Sequence, residues 1–334
     1  MSEAIYDLLA IGNALVDVLS HADEEFIAQQ CADHGMNRGA MTLIDEKRAV
    51  ALYADMADGV EVSGGSAANT MAGFASFGGK GAYIGKVADD ALGDIFSHDM
   101  KKRGVYYNTV PLVVGAPTGR CLILVAPNGE RTMNTYLGAS VEMGADDVDA
   151  DLVASARITY LEGYLYDRDQ AKAAFHKAAE IAHEAGHRVA LTLSDPFCVD
   201  RHRQDFQYLV NHHVDILFAN EDEITSLYET ETFEQAARIV AGKCEVAALT
   251  RSEKGSVIVS GGEAVEIPAI DTKVVDTTGA GDQYAAGFLY GFTQGMDLRT
   301  CGYLGALAAT EVIAHIGPRP QIDYHELLEK VRAA

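Results

Sequence analysis

The chain has 334 residues and a formal net charge of −23, from 26 lysines and arginines against 49 aspartates and glutamates. This charge repels phosphate, so it argues against nucleic acid and against anionic membranes as partners. Hydrophobic residues make up 48% of the chain, which supports a large core, but no apolar run reaches membrane-spanning length. The N-terminus lacks the features of a signal peptide and the cysteines lack CxxC spacing, so we expect a cytoplasmic protein with free thiols.

Strands and helices alternate along most of the chain. The apolar patterns predict strands at 6–11, 40–44, 82–87, 158–161, 188–193, 216–218 and 246–249. They predict helices at 23–36, 70–77, 169–185, 202–212 and 232–241, and others that begin near 90 and 220. This alternation is typical of an α/β fold with a mostly parallel central sheet flanked by helices on both faces. No repeat or linker is visible, so residues 1–334 are predicted to form a single domain.

Two stretches interrupt the alternation. Residues 13–60 lead out of the predicted core and back into it. Residues 106–138 contain two strand-like runs around Asn128-Gly129, a dipeptide that strongly favours a hairpin. Strands without a helix between them predict a small β-sheet outside the main one. An ordinary hairpin at the edge of the main sheet is the alternative.

The sequence DTTGAGD at 276–282 lies between a β-rich, extended segment at 265–275 and a helical apolar pattern that runs to residue 294. A Gly279-Ala280-Gly281 turn that opens a helix presents free N–H groups and the positive end of the helix dipole, which together suit phosphate. Asp282 would lie beside that phosphate, where a carboxylate can accept the proton of an attacking hydroxyl. The alternative is a helix cap whose glycines only form the turn.

A second block begins with GGSAANT at 64–70 and continues as MAGFASFGGKGAYIGKVADDALGD. Gly64 and Gly65 allow a ligand to approach the backbone closely, and Asn69 offers both a donor and an acceptor to a diol. This block and DTTGAGDQYAAGFLYG at 276–291 resemble the two signatures of the ribokinase-like, or pfkB, family of carbohydrate and nucleoside kinases. The resemblance covers nearly the whole chain, in the family's order and spacing.

The resemblance implies an acceptor site under a small β lid built from about 13–60 and 106–138. Asp17 follows the first strand, at the sheet edge where α/β proteins bind ligands, although a lone aspartate there is more often a turn residue. By resemblance, Asp17 binds the acceptor's hydroxyls together with Gly64, Gly65 and Asn69.

The resemblance also implies how phosphate is transferred. Asp282 would act as the base, while the amides of Gly279, Ala280 and Gly281 hold developing charge. Arg131 aligns with a lid arginine that can reach the phosphates in nucleoside-kinase members. Asp276 matches a position that binds K⁺ in some relatives, with a turn or cap role as the alternative.

ATP and Mg²⁺ are the expected cofactors. The sequence NEDE at 220–223 matches the family's Asn-x-x-Glu motif, so Glu223 would hold Mg²⁺ through water and Asn220 would lie at the nucleotide. In isolation this sequence is an acidic first turn of a helix. Thr250 and Gly255 fit a Thr-x-Gly-x-x-Gly nucleotide loop in which Ser252 replaces the first glycine, and Thr278 is a further candidate nucleotide contact.

The acceptor is less clear. The helical insertion at 23–36 and the hairpin GERTMNTYLG at 129–138 look most like the adenosine-kinase branch, in which lid side chains contact the purine. Met36, Met41 and Tyr136 could supply such contacts. A sugar kinase of ribokinase or fructokinase type is the alternative, and a non-catalytic nucleoside- or sugar-binding protein is less favoured because binding alone needs no base. Both a monomer and a homodimer are compatible with the sequence.

Overall fold

The computed structural model describes residues 4–57 and 59–333; residues 1–3, 58 and 334 of the predicted domain lie outside the described residues. The strands are β1 (Tyr6–Ile11), β2 (Leu15–His21), β3 (Met41–Leu43), β4 (Val60–Gly64), β5 (Gly81–Ile84), β6 (Tyr106–Tyr107), β7 (Thr118–Val125), β8 (Arg131–Gly138), β9 (Ala156–Glu162), β10 (Arg188–Thr192), β11 (Ile216–Asn220), β12 (Val246–Thr250), β13 (Ser256–Ser260) and β14 (Glu263–Ile267).

The α-helices are α1 (Glu24–His34), α2 (Glu46–Asp55), α3 (Ser66–Ser76), α4 (Ala91–Lys102), α5 (Ala150–Ala154), α6 (Asp169–Glu184), α7 (Pro196–His212), α8 (Glu221–Tyr228), α9 (Phe233–Val240), α10 (Ala280–Thr293), α11 (Leu298–Ile313) and α12 (His325–Ala333). Among the helices described, none is long and apolar enough to cross a membrane.

Nine strands form the larger sheet, in the order β14-β13-β12-β11-β10-β9-β1-β5-β6. Neighbouring strands from β12 to β6 are parallel, and β13 and β14 add an antiparallel edge. Successive residues of β1 face opposite sides of this sheet. Leu8 and Ala10 share one core with α3 and α10, whereas Leu9 and Ile11 share another with α6 and α7. The predicted α/β class, with helices on both faces, is confirmed.

Five strands form a separate, smaller sheet in the order β3-β8-β7-β2-β4. Its β7–β8 hairpin turns at Asn128-Gly129, where Gly129 has a φ of 85°. The hairpin therefore does not belong to the edge of the larger sheet. The predicted segment 106–138 differs at its start, because Tyr106–Tyr107 pair with β5 in the larger sheet and the smaller sheet takes up the chain only at Thr118.

Three local features differ from the predictions. Strand β14 ends at Ile267, before a proline that has no N–H to donate, so only the first three residues of the β-rich segment predicted over 265–275 belong to a strand. Helix α7 begins at Pro196 and not at residue 202, because Asp195 caps it by accepting from Cys198 N at 2.6 Å. Helix α2 has no predicted counterpart, since its buried apolar stripe is too narrow to show a helical period.

Helix α10 packs against α3 on one side and α11 on the other. The contact with α11 depends on two glycines. A Cβ on Gly287 would lie 2.5 Å from Leu304 O, and one on Gly291 would lie 3.1 Å from the Cys301 sulfur. Because α10 begins in the turn predicted to bind phosphate, this packing helps to position the candidate site.

Replacing Gly287 by alanine should destabilise the protein by about 1–3 kcal/mol, because the added Cβ would force α10 away from α11. The midpoint of denaturant unfolding measures this loss. The matched control is Gly242→Ala, where a Cβ meets nothing within 4 Å. Equal midpoints for the two variants would contradict the close approach of the two helices.

Candidate active site

A cavity of 1220 Å³ lies between the two sheets. It opens at the carboxyl ends of the parallel strands of the larger sheet, where α/β proteins bind ligands. The lining residues at or just after these strand ends are Asn13, Glu162, Thr192, Asn220 and Thr250. Side chains from β2, β7 and β8 of the smaller sheet line the opposite wall. A small ligand commonly fills about 300–1,000 Å³, so the cavity has room for two molecules.

The Gly279-Ala280-Gly281 turn lies on this cavity. Gly279 has a φ of 80°, in the left-handed region, and a Cβ there would collide with Pro318. Around Gly281 there is open space, since a Cβ would meet nothing within 4 Å. Helix α10 begins at Ala280, whose N–H donates to Thr277 O at 3.2 Å, and the N–H groups of Gly281 and Asp282 have no acceptor inside the helix. The turn therefore offers donors, the positive helix end and room for an anion.

Asp282 lies in that first turn and is partly exposed to the cavity. Its Oδ1 accepts from Ser66 Oγ at 2.6 Å, and its Oδ2 accepts from Asn69 Nδ2 at 3.0 Å. Desolvation raises the pKa of Asp282 to about 6, although both hydrogen bonds favour the charged form. The structure thus brings the two predicted sequence blocks into direct contact at this carboxylate.

Asp17 lies on β2, buried in the wall of the cavity. Burial raises its pKa to about 6, against the opposing effect of Arg319 and Arg131. Gly64 stands beside it on β4, where a Cβ would collide with the Asp17 carboxylate. Gly65 has a φ of 96° and faces the carbonyl of Asn13, which a Cβ would also strike. Both glycines are therefore required where the smaller sheet meets α3.

Arg131 reaches from β8 across the cavity to the turn before α10. Its Nη1 lies 2.7 Å from Asp276 Oδ2, and both side chains are about nine-tenths buried or more, with exposures of 5% and 10%. Asp276 also accepts from Thr278 N, Thr278 Oγ1 and Gly317 N, at 3.0, 2.6 and 2.9 Å. Among the described residues, Nε, Nη1 and Nη2 of Arg131 all lack a hydrogen-bond partner, so Arg131 meets Asp276 as an ion pair only. The guanidinium therefore has donors left for a ligand.

Asn220 and Glu223 form a capping box at the start of α8, and both line the cavity. Glu223 Oε2 accepts from Asn220 N at 2.9 Å and Oε1 accepts from Asn220 Nδ2 at 2.7 Å. Burial raises the pKa of Glu223 to about 7, and the negative charges of Asp195 and Asp222 add to the rise. A cation would relieve this cost, which suits a water-bridged Mg²⁺. No direct cage of three or more His, Cys, Asp or Glu side chains exists within residues 4–57 and 59–333.

The predicted nucleotide loop follows β12, next to Asn220, which pairs with Thr250. Gly255 has a φ of 82°, and a Cβ on it would collide with Ile267 O. Ser252, at the position of the missing glycine, has a φ of 51°. The loop thus keeps the left-handed conformation that glycine favours, although serine occupies the position.

Of the three apolar side chains predicted to contact a purine, only Met41 lines the cavity. Met36 is buried in the core, and Tyr136 Oη donates to Glu46 on α2 at 3.2 Å. Further apolar side chains on the cavity wall are Leu15, Leu43, Ile123, Met133 and Leu137 from the smaller sheet and Phe197 from α7.

Sequence reasoning missed two charged residues. Glu162, at the end of β9, accepts from Asn13 Nδ2 at 2.7 Å and from Ala67 N at 2.8 Å, and burial raises its pKa to about 7. Its place at the end of a predicted strand is a signal that could have identified it. Arg319 donates to Asn69, 250 positions away in sequence, and no local pattern marks it.

Comparisons with known proteins agree on the family. The profile of the pfkB family carbohydrate kinases matches residues 41–323. The structure of the adenosine kinase from Sinorhizobium meliloti is 51% identical and covers 99% of this chain and 100% of its own, with a TM-score of 0.89. A probable sugar kinase protein from Rhizobium etli CFN 42 is 50% identical with the same coverage and a TM-score of 0.90. The adenosine kinase of Saccharomyces cerevisiae is 28% identical, across 93% of this chain and 96% of that protein.

The conformation of Ser252 leads to a stability test. Ser252→Gly should stabilise the protein by up to about 1 kcal/mol, because glycine adopts the left-handed region without the cost that a side chain brings. Glu253→Gly, at the next exposed position with an ordinary φ, should instead cost roughly 0.5–1 kcal/mol. Denaturant unfolding of both variants measures the two changes, and a loss of stability in Ser252→Gly would contradict the loop conformation.

Proposed function

Because the chain belongs to the pfkB family of carbohydrate kinases, we propose that it transfers the γ-phosphate of ATP to a primary hydroxyl of a nucleoside, adenosine above all. The family and its relatives make it a phosphotransferase that acts on an alcohol group. The observation that carries the proposal is Asp282, a carboxylate of raised pKa beside the donor-lined Gly279-Ala280-Gly281 turn. A site that only binds an anion would gain nothing from a carboxylate beside it.

In the proposed reaction, Asp282 accepts the proton of the acceptor's hydroxyl as that oxygen attacks phosphorus. The N–H groups of the turn stabilise charge on the phosphoryl oxygens, and Arg131 can add its unpartnered donors. Ser66 and Asn69 hold the Asp282 carboxylate in place until the hydroxyl arrives. The rate advantage comes from position and charge, which phosphoryl transfer chiefly requires.

The acceptor is proposed to lie between Asp17 and Asn69, whose polar groups suit a sugar diol. Beyond them the wall becomes apolar, with Met41, Ile123 and Met133 of the smaller sheet. A free pentose would leave that wall in contact with water, whereas a nucleoside would cover it with its base. At ~25 cal/mol per Å², a base that buries on the order of 100 Å² gains ~2.5 kcal/mol.

The nucleotide is proposed to lie along Thr250, Gly255 and Thr278, at the other end of the cavity. Asn220 and Glu223 would hold Mg²⁺ through water, and the ion would neutralise phosphate charge when bound. The residues do not fit K⁺ at Asp276, because both carboxylate oxygens already accept from the chain and Oδ2 is paired with the Arg131 guanidinium.

A sugar kinase is the second candidate, because the Rhizobium etli structure is as similar to this chain as the Sinorhizobium meliloti one. A coupled assay with ATP and Mg²⁺ decides between them. We expect kcat/KM for adenosine to exceed that for ribose and for fructose by at least about tenfold, as the buried base area predicts. Efficient turnover of ribose or fructose without any of adenosine would support the sugar kinase.

Asp282→Asn should lower kcat by about 10²–10⁴-fold, because the amide cannot accept the hydroxyl proton. Acceptor affinity, measured by calorimetry, should change little. Asp297→Asn is the matched control, since Asp297 also opens a helix but only caps α11. A variant at position 282 that retains more than roughly a tenth of kcat would refute the assignment of the base.

Acid should inactivate the enzyme below about pH 6. Burial raises the pKa values of Asp282 and Asp17 to about 6, so both carboxylates protonate as the pH falls through that value. Protonated Asp282 cannot accept a proton, and protonated Asp17 loses charge-assisted bonds to hydroxyls. The ratio kcat/KM reports the free enzyme. The acid limb of a plot of log kcat/KM against pH should therefore have a slope greater than one, because more than one proton is taken up. Full activity at pH 5 would contradict this account.

A further inference from the structure

Three consecutive residues in the segment after α11 bind groups of the candidate site. Gly317 N donates to Asp276 Oδ2 at 2.9 Å. Pro318 O accepts from Gln283 Nε2 at 2.9 Å. Arg319 Nε donates to Asn69 Oδ1 at 2.7 Å. The segment therefore contacts, in succession, the turn before α10, helix α10 itself and the acceptor side of the cavity.

Arg319 is buried behind Asn69, with 9% of its surface exposed. Its Nη2 donates to Ser63 O on β4 at 2.5 Å, and its Nη1 lies 3.6 Å from Asp99 Oδ2 on α4. It is not among the residues that line the cavity. The guanidinium therefore acts on the cavity through Asn69 and through its charge.

The donors and acceptors of Arg319 and Asp282 allow only one orientation of the Asn69 amide between them. Arg319 has only donors, so it can face only the carbonyl oxygen of that amide. The Asn69 NH₂ group then points away from Arg319, and Nδ2 donates to Asp282 Oδ2 at 3.0 Å. With the amide reversed, Asn69 would present its NH₂ to Arg319 and its oxygen to a carboxylate, and both contacts would be repulsive.

We propose that Arg319 is a positioning residue for phosphoryl transfer, which fixes the Asn69 amide so that its NH₂ group donates to Asp282. The inference rests on the proposed role of Asp282 as the base. The charged and titratable side chains that surround Arg319, Asp282 and Asp17 include Tyr83, Asp99, Arg103, Cys121, Arg131, Tyr160, Glu162 and Tyr164. Of the nearby positive charges, that of Arg319 lowers the pKa of both Asp17 and Asp282.

The test compares Arg319→Met, Arg319→Gln and Arg319→Lys with the wild-type enzyme. Loss of the positive charge should move the acid limb of kcat/KM upward by about one pH unit and lower kcat at pH 7 roughly tenfold. The KM for ATP should stay unchanged. Arg319→Lys, which retains charge and donors, should keep the wild-type acid limb while its kcat falls at least about threefold, since one ammonium cannot copy the guanidinium fork.

Arg103→Met is the matched control, because Arg103 also pairs with Asp99, at 3.2 Å and within the same helical turn, whereas the hydrogen bond to the Asn69 amide comes from Arg319. The proposal is overturned if the acid limb of kcat/KM stays at the wild-type pH in folded Arg319→Met or Arg319→Gln. It is also overturned if the acid limb moves equally in Arg103→Met. If neither neutral variant folds, Arg319→Lys decides, and a wild-type kcat in that variant overturns it.

The assay uses whichever alcohol the wild-type enzyme phosphorylates, so an error in the adenosine assignment leaves this test intact. Retention of activity in Asp282→Asn would show that the proposed base is wrong. An essential Asp282 combined with an unmoved acid limb in the Arg319 variants would show that only the present inference is wrong.

Discussion

The contact between α3 and α10 determines where the groups of the candidate site lie. It brings together Asn69 and Asp282, which are 213 positions apart in sequence. Gln283, the residue after Asp282, is fully buried and donates to the carbonyl of Asn69 at 3.0 Å. Gly73 faces the same glutamine, and a Cβ there would collide with its amide oxygen. Since these contacts involve backbone and short side chains, the distance between Asn69 and Asp282 follows from the fit of the two helices.

The close packing around the cavity also buries its carboxylates and so determines its electrostatics. Asp17, Glu162 and Glu223 are buried and Asp282 partly so, and desolvation raises the pKa of all four. A bare phosphate that enters such a site meets repulsion from these carboxylates and attraction from the turn at α10 and from Arg131. The cavity therefore favours a phosphate that arrives with a divalent cation, and an acceptor that brings hydroxyl donors to the carboxylates.

Residues with a local signal could be predicted from the sequence, whereas residues whose role depends on tertiary contacts could not. Gly65 and Asp282 stand in runs whose turn and helix patterns show at short range, and the structure places both at the cavity. Arg319 acquires its role only when its segment packs against α3, so neither spacing nor periodicity marks it. The predicted start of helix α7 was wrong for a different reason. Its start signal, Asp195-Pro196, is local, but the apolar helical period becomes clear only after the kink at His202.

The two sheets contribute different halves of the site. Asp17 and Arg131 belong to the smaller sheet, whereas Asn69, Glu223 and Asp282 belong to helices on the larger one. The buried ion pair between Arg131 and Asp276 joins the halves directly, and Ser140 joins them again by donating to Asn13 Oδ1 at 2.9 Å. A reaction that gains its rate from position needs both halves at once. The contacts between the sheets therefore hold the two halves of the candidate site in register.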